Sequence, residues 1–509
     1  MTVAEWSDAT TFAQVWVDAV ATRPDAPFLT FEAADGAVTD WTYAEFDIVV
    51  ARMATELAAH DVGPGGSVHL ALTNCPTFIA AWIATVRLGG CIVPSDPMGR
   101  TAEFEDHIGR TQPVAGFCAE SRLDVYRPAA GDIAVFPTDE ADSELQWLPA
   151  EQFTAWPTYG AHDAAAVMFT SGTTGRPKGV VVTQANYAFA GKVMAEAADL
   201  RHDDRQIVVL PMFHANAQYY SFASAIWVGA SIALMHTFSA SGFLPQAVRH
   251  QATCASLFAA PLRMILARGR PVDGLALRHC WFAQNLADDQ YETLADWFGC
   301  RPRQLYGMTE TIPAVLTDNA IDQRADSMGF VTPGCEVEIH DADGAEVPAG
   351  EVGELVVRGA PGTTLFREYL TDPETTAASF HGTWFRTGDR ASRDIDGRFF
   401  FDGRRSDVLK VAGENVSTVE VEAVLTAHPL VLEASVVGAP DPVRDEVPVA
   451  FVVPNDPAEP PTSDALLEWC SGRLGKAKQP RDITMLDELP RTSVGKIRKF
   501  LLKEEVQRS

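Results

Sequence analysis

Lysine is scarce in this chain of 509 residues: there are eight, against 32 arginines. None precedes Lys178, and five of the eight fall between Lys476 and Lys503. Basic charge as a whole is short, with a net charge of −28 and a pI near 4.7. That excludes a general binder of nucleic acid or of anionic membranes, since both need a net basic face. No CxxC pair occurs among Cys75, Cys91, Cys118, Cys254, Cys280, Cys300, Cys335 and Cys470. Scattered cysteines give neither a zinc site nor a disulfide framework. They fit buried free thiols and a reducing, cytoplasmic setting. No apolar run reaches the ~18–20 residues of a membrane span. The longest, Phe78 to Val86, stops at Arg87 and predicts a buried helix. The segment Met1 to Asp8 has neither a basic n-region nor an apolar h-region, so no signal peptide is predicted.

What is present is core material. With 47% apolar and 21% charged residues the chain is no disordered polymer. Its length predicts more than one folding unit, because single cores stop growing near ~250–300 residues. Thr11 to Thr22 predicts a helix, Val68 to Leu72 a strand, Pro76 to Leu88 a helix, and Ile92-Val93-Pro94 a strand. This rhythm means a mainly parallel sheet covered by helices.

From Gln206 to Val248 there is no Asp, Glu, Lys or Arg for 43 residues. The segment predicts a strand at Ile207–Leu210, one helix at about 216–228 and a strand at Ser231–Met235. It serves either as plain core or as the wall of an apolar pocket. From Met328 to Arg358 short alternating strands are predicted, with turns at Asp343-Gly344 and Pro348-Ala349-Gly350. They suggest a small β subdomain.

The sharpest feature is Thr170-Ser171-Gly172-Thr173-Thr174-Gly175-Arg176-Pro177-Lys178-Gly179, set between two apolar runs. It predicts a strand–loop–strand hairpin. Glycines let backbone N–H groups approach a phosphate closely, hydroxyls add donors, and Arg176 and Lys178 add charge. A Walker A loop would need a helix next, and Pro177 with the valines at 180–182 excludes one.

This loop resembles the signature of the adenylate-forming superfamily, which contains acyl-CoA synthetases, luciferases and peptide-synthetase adenylation domains. Four further motifs follow in that family's order. They are Tyr306-Gly307-Met308-Thr309-Glu310, Thr387-Gly388-Asp389, Gly403 to Lys410, and Pro490 to Lys496. The resemblance implies an α/β fold. A large N-terminal adenylation domain of covered, mainly parallel sheets would span 1–405, with a β subdomain at about 328–405. A small mobile α+β C-terminal domain would span 406–509.

It also implies a chemistry. A carboxylate attacks the α-phosphorus of ATP, pyrophosphate leaves, and a thiol then displaces AMP from the acyl-adenylate. ATP, Mg²⁺ and, as co-substrate, CoA are the implied cofactors. Thr170, Ser171, Gly172, Thr173, Thr174 and Lys178 would hold phosphate. Tyr306 would stack on adenine, with Gln284 or Asn285 beside it. Asp389 would accept from the ribose hydroxyls, with Arg404 as a second ribose or phosphate partner. Thr309 would bond the α-phosphate and Glu310 would hold Mg²⁺ through hard oxygen. Lys496 would neutralise charge in the adenylation transition state. The C-terminal domain would swing about Ser406, where the family usually has Asp or Lys. Its other face, Lys410 to Asn415, would then serve the thiol step, with Gly413 leaving room for a pantetheine arm.

For the acid, Phe213-His214-Ala215-Asn216-Ala217-Gln218 takes the place of the family's pocket-entrance motif. Amino-acid-activating members usually place Asp where this chain has His214, so a free α-amino acid is not expected. The acyl pocket is expected from His214, Ala217, Gln218, Tyr219, Phe282, Ala283, Gly307 and Met308. Phe282 would narrow it. The stretch Gly413 to Ser417, with Asn285-Leu286 and the motif at 306–311, is most similar to the crotonobetaine/carnitine-CoA ligase branch. No carboxylate stands near the pocket motifs for a quaternary ammonium, which leaves an aromatic cage of Tyr219, Tyr220 and Trp281. The expected activity is therefore an AMP-forming acid–CoA ligase on a small carboxylic acid. The alternative acceptor is a carrier-protein thiol, an amine or another nucleophile. A homodimer is compatible with the family.

Overall fold

The computed structural model describes residues 7–170, 177–404, 408–411, 414–441, 444–491 and 497–508. Thr11 caps the helix Phe12–Thr22 by accepting from the Gln14 N–H. Thr42 and Glu45 form a reciprocal capping box on Tyr43–Ala58, each satisfying a donor that the first turn leaves open. Helix Pro76–Arg87 is buried at every residue, as a helix apolar all round must be. Among the described residues no helix is long and apolar enough to cross a membrane.

Among the described residues the strands form four sheets. The seven-stranded sheet runs, edge to edge, Glu368–Tyr369, Lys178–Thr183, Ala164–Thr170, Cys91–Pro94, Ser67–Ala71, Ala115–Ala119 and Ala134–Thr138. Its middle and far strands pair in parallel, and only the hairpin Ala164–Thr170/Lys178–Thr183 and the edge strand beside it pair antiparallel. The nine-stranded sheet is likewise parallel in its centre, through Arg205–Val208, Ser231–Met235, Cys254–Phe258, His279–Ala283 and Arg303–Tyr306. One apolar core joins residues of both sheets through the buried helices Pro76–Arg87 and Gln184–Ala197. A second core covers the other face of the nine-stranded sheet.

Two local expectations change. Phe330–Val331 belongs to the edge of the nine-stranded sheet, not to a β subdomain, because it pairs with Leu316–Thr317. The expected single helix at 216–228 is a π-helix, Asn216–Ala223, continuing into an α-helix, Ser224–Val228. The wider i→i+5 turn is favoured at functional positions.

A five-stranded antiparallel sheet carries Glu336–His340, Val352–Arg358, Phe380–His381, Trp384–Arg393 and Phe399–Arg404. Residues after 408 build the fourth sheet, centred on the long hairpin Val431–Asp441/Asp445–Pro454. Their own apolar clusters lie on its two faces, under Thr418–Thr426 and Ser463–Ser471 and under Lys499–Arg508.

Candidate active site

The hairpin Ala164–Thr170/Lys178–Thr183, the motif at 306–310 and the Asp389 strand are brought together by side-chain contacts. Thr170 and Lys178 are register partners at the ends of the two hairpin strands. The Lys178 ammonium sits 4.5 Å from the centroid of the Tyr369 ring, a favourable place for a cation over a π-face. The Tyr369 hydroxyl donates to Glu310 Oε1 at 2.9 Å. Gly179 runs tight against this edge: a Cβ there would stand 3.1 Å from Leu370 Cβ.

Strand Arg303–Tyr306 delivers the second group. Tyr306 donates its hydroxyl to Asp389 Oδ2 at 2.6 Å. Asp389 Oδ1 accepts from Arg404 Nε at 3.0 Å. Asp389 and Arg404 are direct cross-strand partners, so the sheet alone sets them face to face. Asp389 is buried and Arg404 half-exposed. Burial, with the negative Asp389 beside it, pushes the Tyr306 phenol far up, so it stays a neutral donor.

After Tyr306 the chain turns sharply. Gly307 has no room for a side chain: a Cβ would meet Tyr220 Oη at 2.7 Å and both Ala314 Cα and Pro313 O at 3.0 Å. Thr309, half-buried, opens the single 3-10 turn Thr309–Thr311. Ile312 closes it at φ 71°, a conformation costly for a β-branched residue and held by burial. Glu310 is buried, and that burial raises its carboxyl above the ordinary value. Tyr369, Lys178 and Arg404 pull the other way. Both cationic side chains thus act on the one carboxylate.

The donor set fits a hard divalent cation. Glu310 offers a buried carboxylate beside the Tyr369 hydroxyl, and a charge whose desolvation a cation would offset. Among the described residues no cluster of three or more His, Cys, Asp or Glu forms a metal cage. Mg²⁺ needs none, since it takes one or two carboxylates plus substrate phosphates and water.

The expected acyl-pocket residues divide. Ala217, Gln218 and Tyr219 are fully buried on the π-helix. Gln218 donates Nε2 to Met212 O at 2.6 Å and accepts from the Tyr187 hydroxyl. Tyr219 donates to Met168 Sδ at 3.5 Å. Half-buried His214 tilts against Phe213, with ring centroids 4.4 Å apart. Ala283 and Met308 pack at the margin of the first core.

Phe282 departs from the expectation that it narrows the tunnel. Strand residues alternate faces, and Phe282 lies in the second core against Tyr291, on the side opposite Trp281 and Ala283. The three residues of the expected aromatic cage, Tyr219, Tyr220 and Trp281, are all buried in the first core, the two tyrosine rings with centroids 6.5 Å apart.

Gln284 and Asn285 are exposed at the end of strand His279–Ala283, with Gln284 at φ 75°. Asn285 is oriented by Gln304, whose Nε2 donates to Asn285 Oδ1 at 3.1 Å and to Ala325 O at 2.9 Å. Ser171, Gly172, Thr173, Thr174, Ser406, Gly413 and Lys496 lie outside the described residues. Of Lys410 only the backbone is described, in strand Val408–Val411. Tyr369 and Gln304 were absent from the sequence expectations. Neither sits in a motif, and only the folded chain brings them to Glu310 and Asn285.

Known proteins match this chain along nearly its whole length. Residues 16–370 match the family "AMP-binding enzyme", and residues 420–496 match "AMP-binding enzyme C-terminal domain". The crotonobetaine/carnitine–CoA ligase of Salmonella agona (strain SL483) is 34% identical over 508 residues, covering 96% of this chain and 98% of the relative. ATP-bound MatB from Rhodopseudomonas palustris superposes with a TM-score of 0.87 at 26% identity, over 97% of this chain and 98% of that one. The O-succinylbenzoate coenzyme A synthetase MenE of Bacillus subtilis, solved with AMP, gives 0.83 at 28% identity, over 96% and 98%. The chain belongs to the AMP-binding enzyme family, the adenylate-forming superfamily.

Proposed function

We propose that this chain, as an AMP-forming acid–CoA ligase, runs two half-reactions at one site. In the first, a carboxylate oxygen attacks the α-phosphorus of ATP and pyrophosphate leaves. In the second, the CoA thiol attacks the acyl carbon and AMP leaves, its phosphate retaining the carboxylate oxygen. No side chain forms a covalent intermediate. The protein contributes orientation and fixed charge.

Asp389, held by Tyr306 and Arg404, orients the ribose. Tyr306 presents its ring to adenine, beside Gln284 and Asn285. Thr170 and Lys178 hold the phosphates together with the residues at 171–174. Thr309 bonds the α-phosphate. Glu310 would hold Mg²⁺, which when bound screens the phosphate charges from one another. Lys496 serves adenylation, and Lys410 and Gly413 serve the thiol step after the C-terminal domain turns about Ser406.

The acid binds among Ala217, Tyr219, Ala283, Gly307 and Met308, below His214. These walls carry no formal charge, which suits an uncharged acyl group and disfavours an α-ammonium. The carnitine substrate of the relatives is not carried over, since none of these walls is a carboxylate that would pair with a quaternary ammonium.

One observation carries this reading: the buried Glu310 carboxylate accepts from Tyr369 and is acted on by the charges of Lys178 and Arg404, on the same motif as Tyr306, which binds Asp389. The test is pyrophosphate release over a panel of carboxylic acids, with and without CoA, and mass spectrometry of the products. Acyl-CoA formed with stoichiometric AMP supports it. Pyrophosphate release with no acyl-CoA from any acid would move the acceptor to a carrier protein or an amine.

A further inference from the structure

Helix Thr101–Thr111 lies beside the phosphate hairpin and holds both of its arms. The His107 ring stacks on Phe169, with centroids 3.9 Å apart and planes 6° from parallel. One turn on, Arg110 donates Nη1 to Pro177 O at 2.7 Å. Its guanidinium also lies 4.8 Å from the same Phe169 ring. Phe169 immediately precedes Thr170, and Pro177 immediately precedes Lys178. Two side chains of one helix therefore fix the backbone next to each of the two described phosphate-handling residues.

His107 is itself held in orientation. Its Nδ1 lies 2.7 Å from Ser95 Oγ, Ser95 Oγ lies 2.9 Å from His69 Nε2, and His69 Nδ1 lies 2.8 Å from the Tyr126 hydroxyl. All four side chains are buried. Burial lowers His69 to about 3 and His107 to about 4, so both rings are neutral at ordinary pH. A neutral imidazole offers one donor and one acceptor, which a chain of alternating bonds requires. An apolar residue at 107 would fill the same space, but it would not fix the plane that face-to-face stacking needs. The polar chain runs back to the parallel strands Ser67–Ala71 and Cys91–Pro94, so the hairpin is referenced to the rigid centre of the sheet.

We propose that His107 and Arg110 are positioning residues for ATP: they set the hairpin so that Thr170 and Lys178 meet the phosphates together. This rests on reading the hairpin as the phosphate site.

The test compares Arg110→Ala, Arg110→Lys and His107→Asn with the wild type, measuring kcat, the KM for ATP, the KM for the acid, ATP binding by calorimetry, and Tm. Arg110→Ala is expected to raise the KM and Kd for ATP about tenfold, the ratio equivalent to ~1.4 kcal/mol, with the KM for the acid unchanged. Arg110→Lys keeps a donor for Pro177 O and recovers part of the loss. His107→Asn keeps the bond to Ser95, loses the stack, and weakens ATP selectively. A merely structural role would lower Tm and leave the two KM values in their wild-type ratio, and that result overturns the proposal. Should Arg110→Ala fail to fold, an unchanged Kd for ATP in Arg110→Lys and His107→Asn overturns it equally. If the wild type itself binds no ATP, the reading of the hairpin fails. If wild type and variants bind ATP alike, only this inference fails.

Discussion

Tyr306 donates its hydroxyl to Asp389 Oδ2 at 2.6 Å, across 83 positions of sequence. The carboxylate's other oxygen is taken by Arg404, its neighbour on the next strand. The carboxylate proposed to bind ribose is thus aimed before any nucleotide arrives, which lowers the ordering cost of binding. Asp389→Ala removes the acceptor and leaves Tyr306 and Arg404 without it. Its KM for ATP is expected to rise more than tenfold, since a bond to a charged group contributes ~1.5–3 kcal/mol. Tyr306→Phe keeps the ring for adenine and is expected to lose less. Steady-state kinetics with ATP varied decides the order.

Glu310 links pH to stability. Burial holds its carboxyl above the ordinary value, so the folded state keeps this proton longer than the unfolded chain does. The resulting penalty is absent below the ordinary carboxylate pKa, grows as pH rises toward the raised value, and is full above it. Glu310→Gln removes the charge. Its Tm without ligands is expected to exceed that of the wild type at about pH 7.5 and to match it at about pH 4.5, while adenylation falls. Mg²⁺–ATP should raise the Tm of the wild type more than that of the variant. Calorimetry at the two pH values checks the sign, and a variant less stable by the same margin at both would contradict it.

Phe282 is expected to matter for stability and not for substrate choice. It is fully buried in the second core against Tyr291. Truncation to Ala should cost ~3–5 kcal/mol, read by urea unfolding. The relative rates on short and long acids should stay as in the wild type. A change in that ranking would place the side chain in the pocket after all.

Lys496→Ala separates the half-reactions. Adenylation should fall ~10²–10³-fold, as when a preorganised donor to developing charge is lost. Thioester formation from a supplied acyl-adenylate and CoA should persist. A variant with full adenylation would end the role given to Lys496.

Much of the parallel framework was legible because each strand and helix carries its own period and breakers. Pro76 starts a helix, Gly89-Gly90 stops it, and strand Cys91–Pro94 follows. The hairpin was legible because Pro177 and the following valines exclude a helix. Other features depend on distant pairings. Arg110 reaches Pro177 over 67 positions, Tyr369 reaches Glu310 over 59, and no local pattern marks either. The face taken by Phe282 turned on a one-residue phase in a buried strand. Both of its faces are apolar, so alternation of polarity gave no signal. The π-helix at Asn216–Ala223 escaped for a similar reason, since an uncharged, buried segment shows no amphipathic period.

The acid is activated by attack on the α-phosphorus of ATP. Turnover of an accepted acid labelled with ¹⁸O in its carboxylate, with mass spectrometry of the nucleotide, tests it most directly. One labelled oxygen is expected in AMP and none in pyrophosphate. Label in inorganic phosphate together with ADP, or unlabelled AMP, would contradict it.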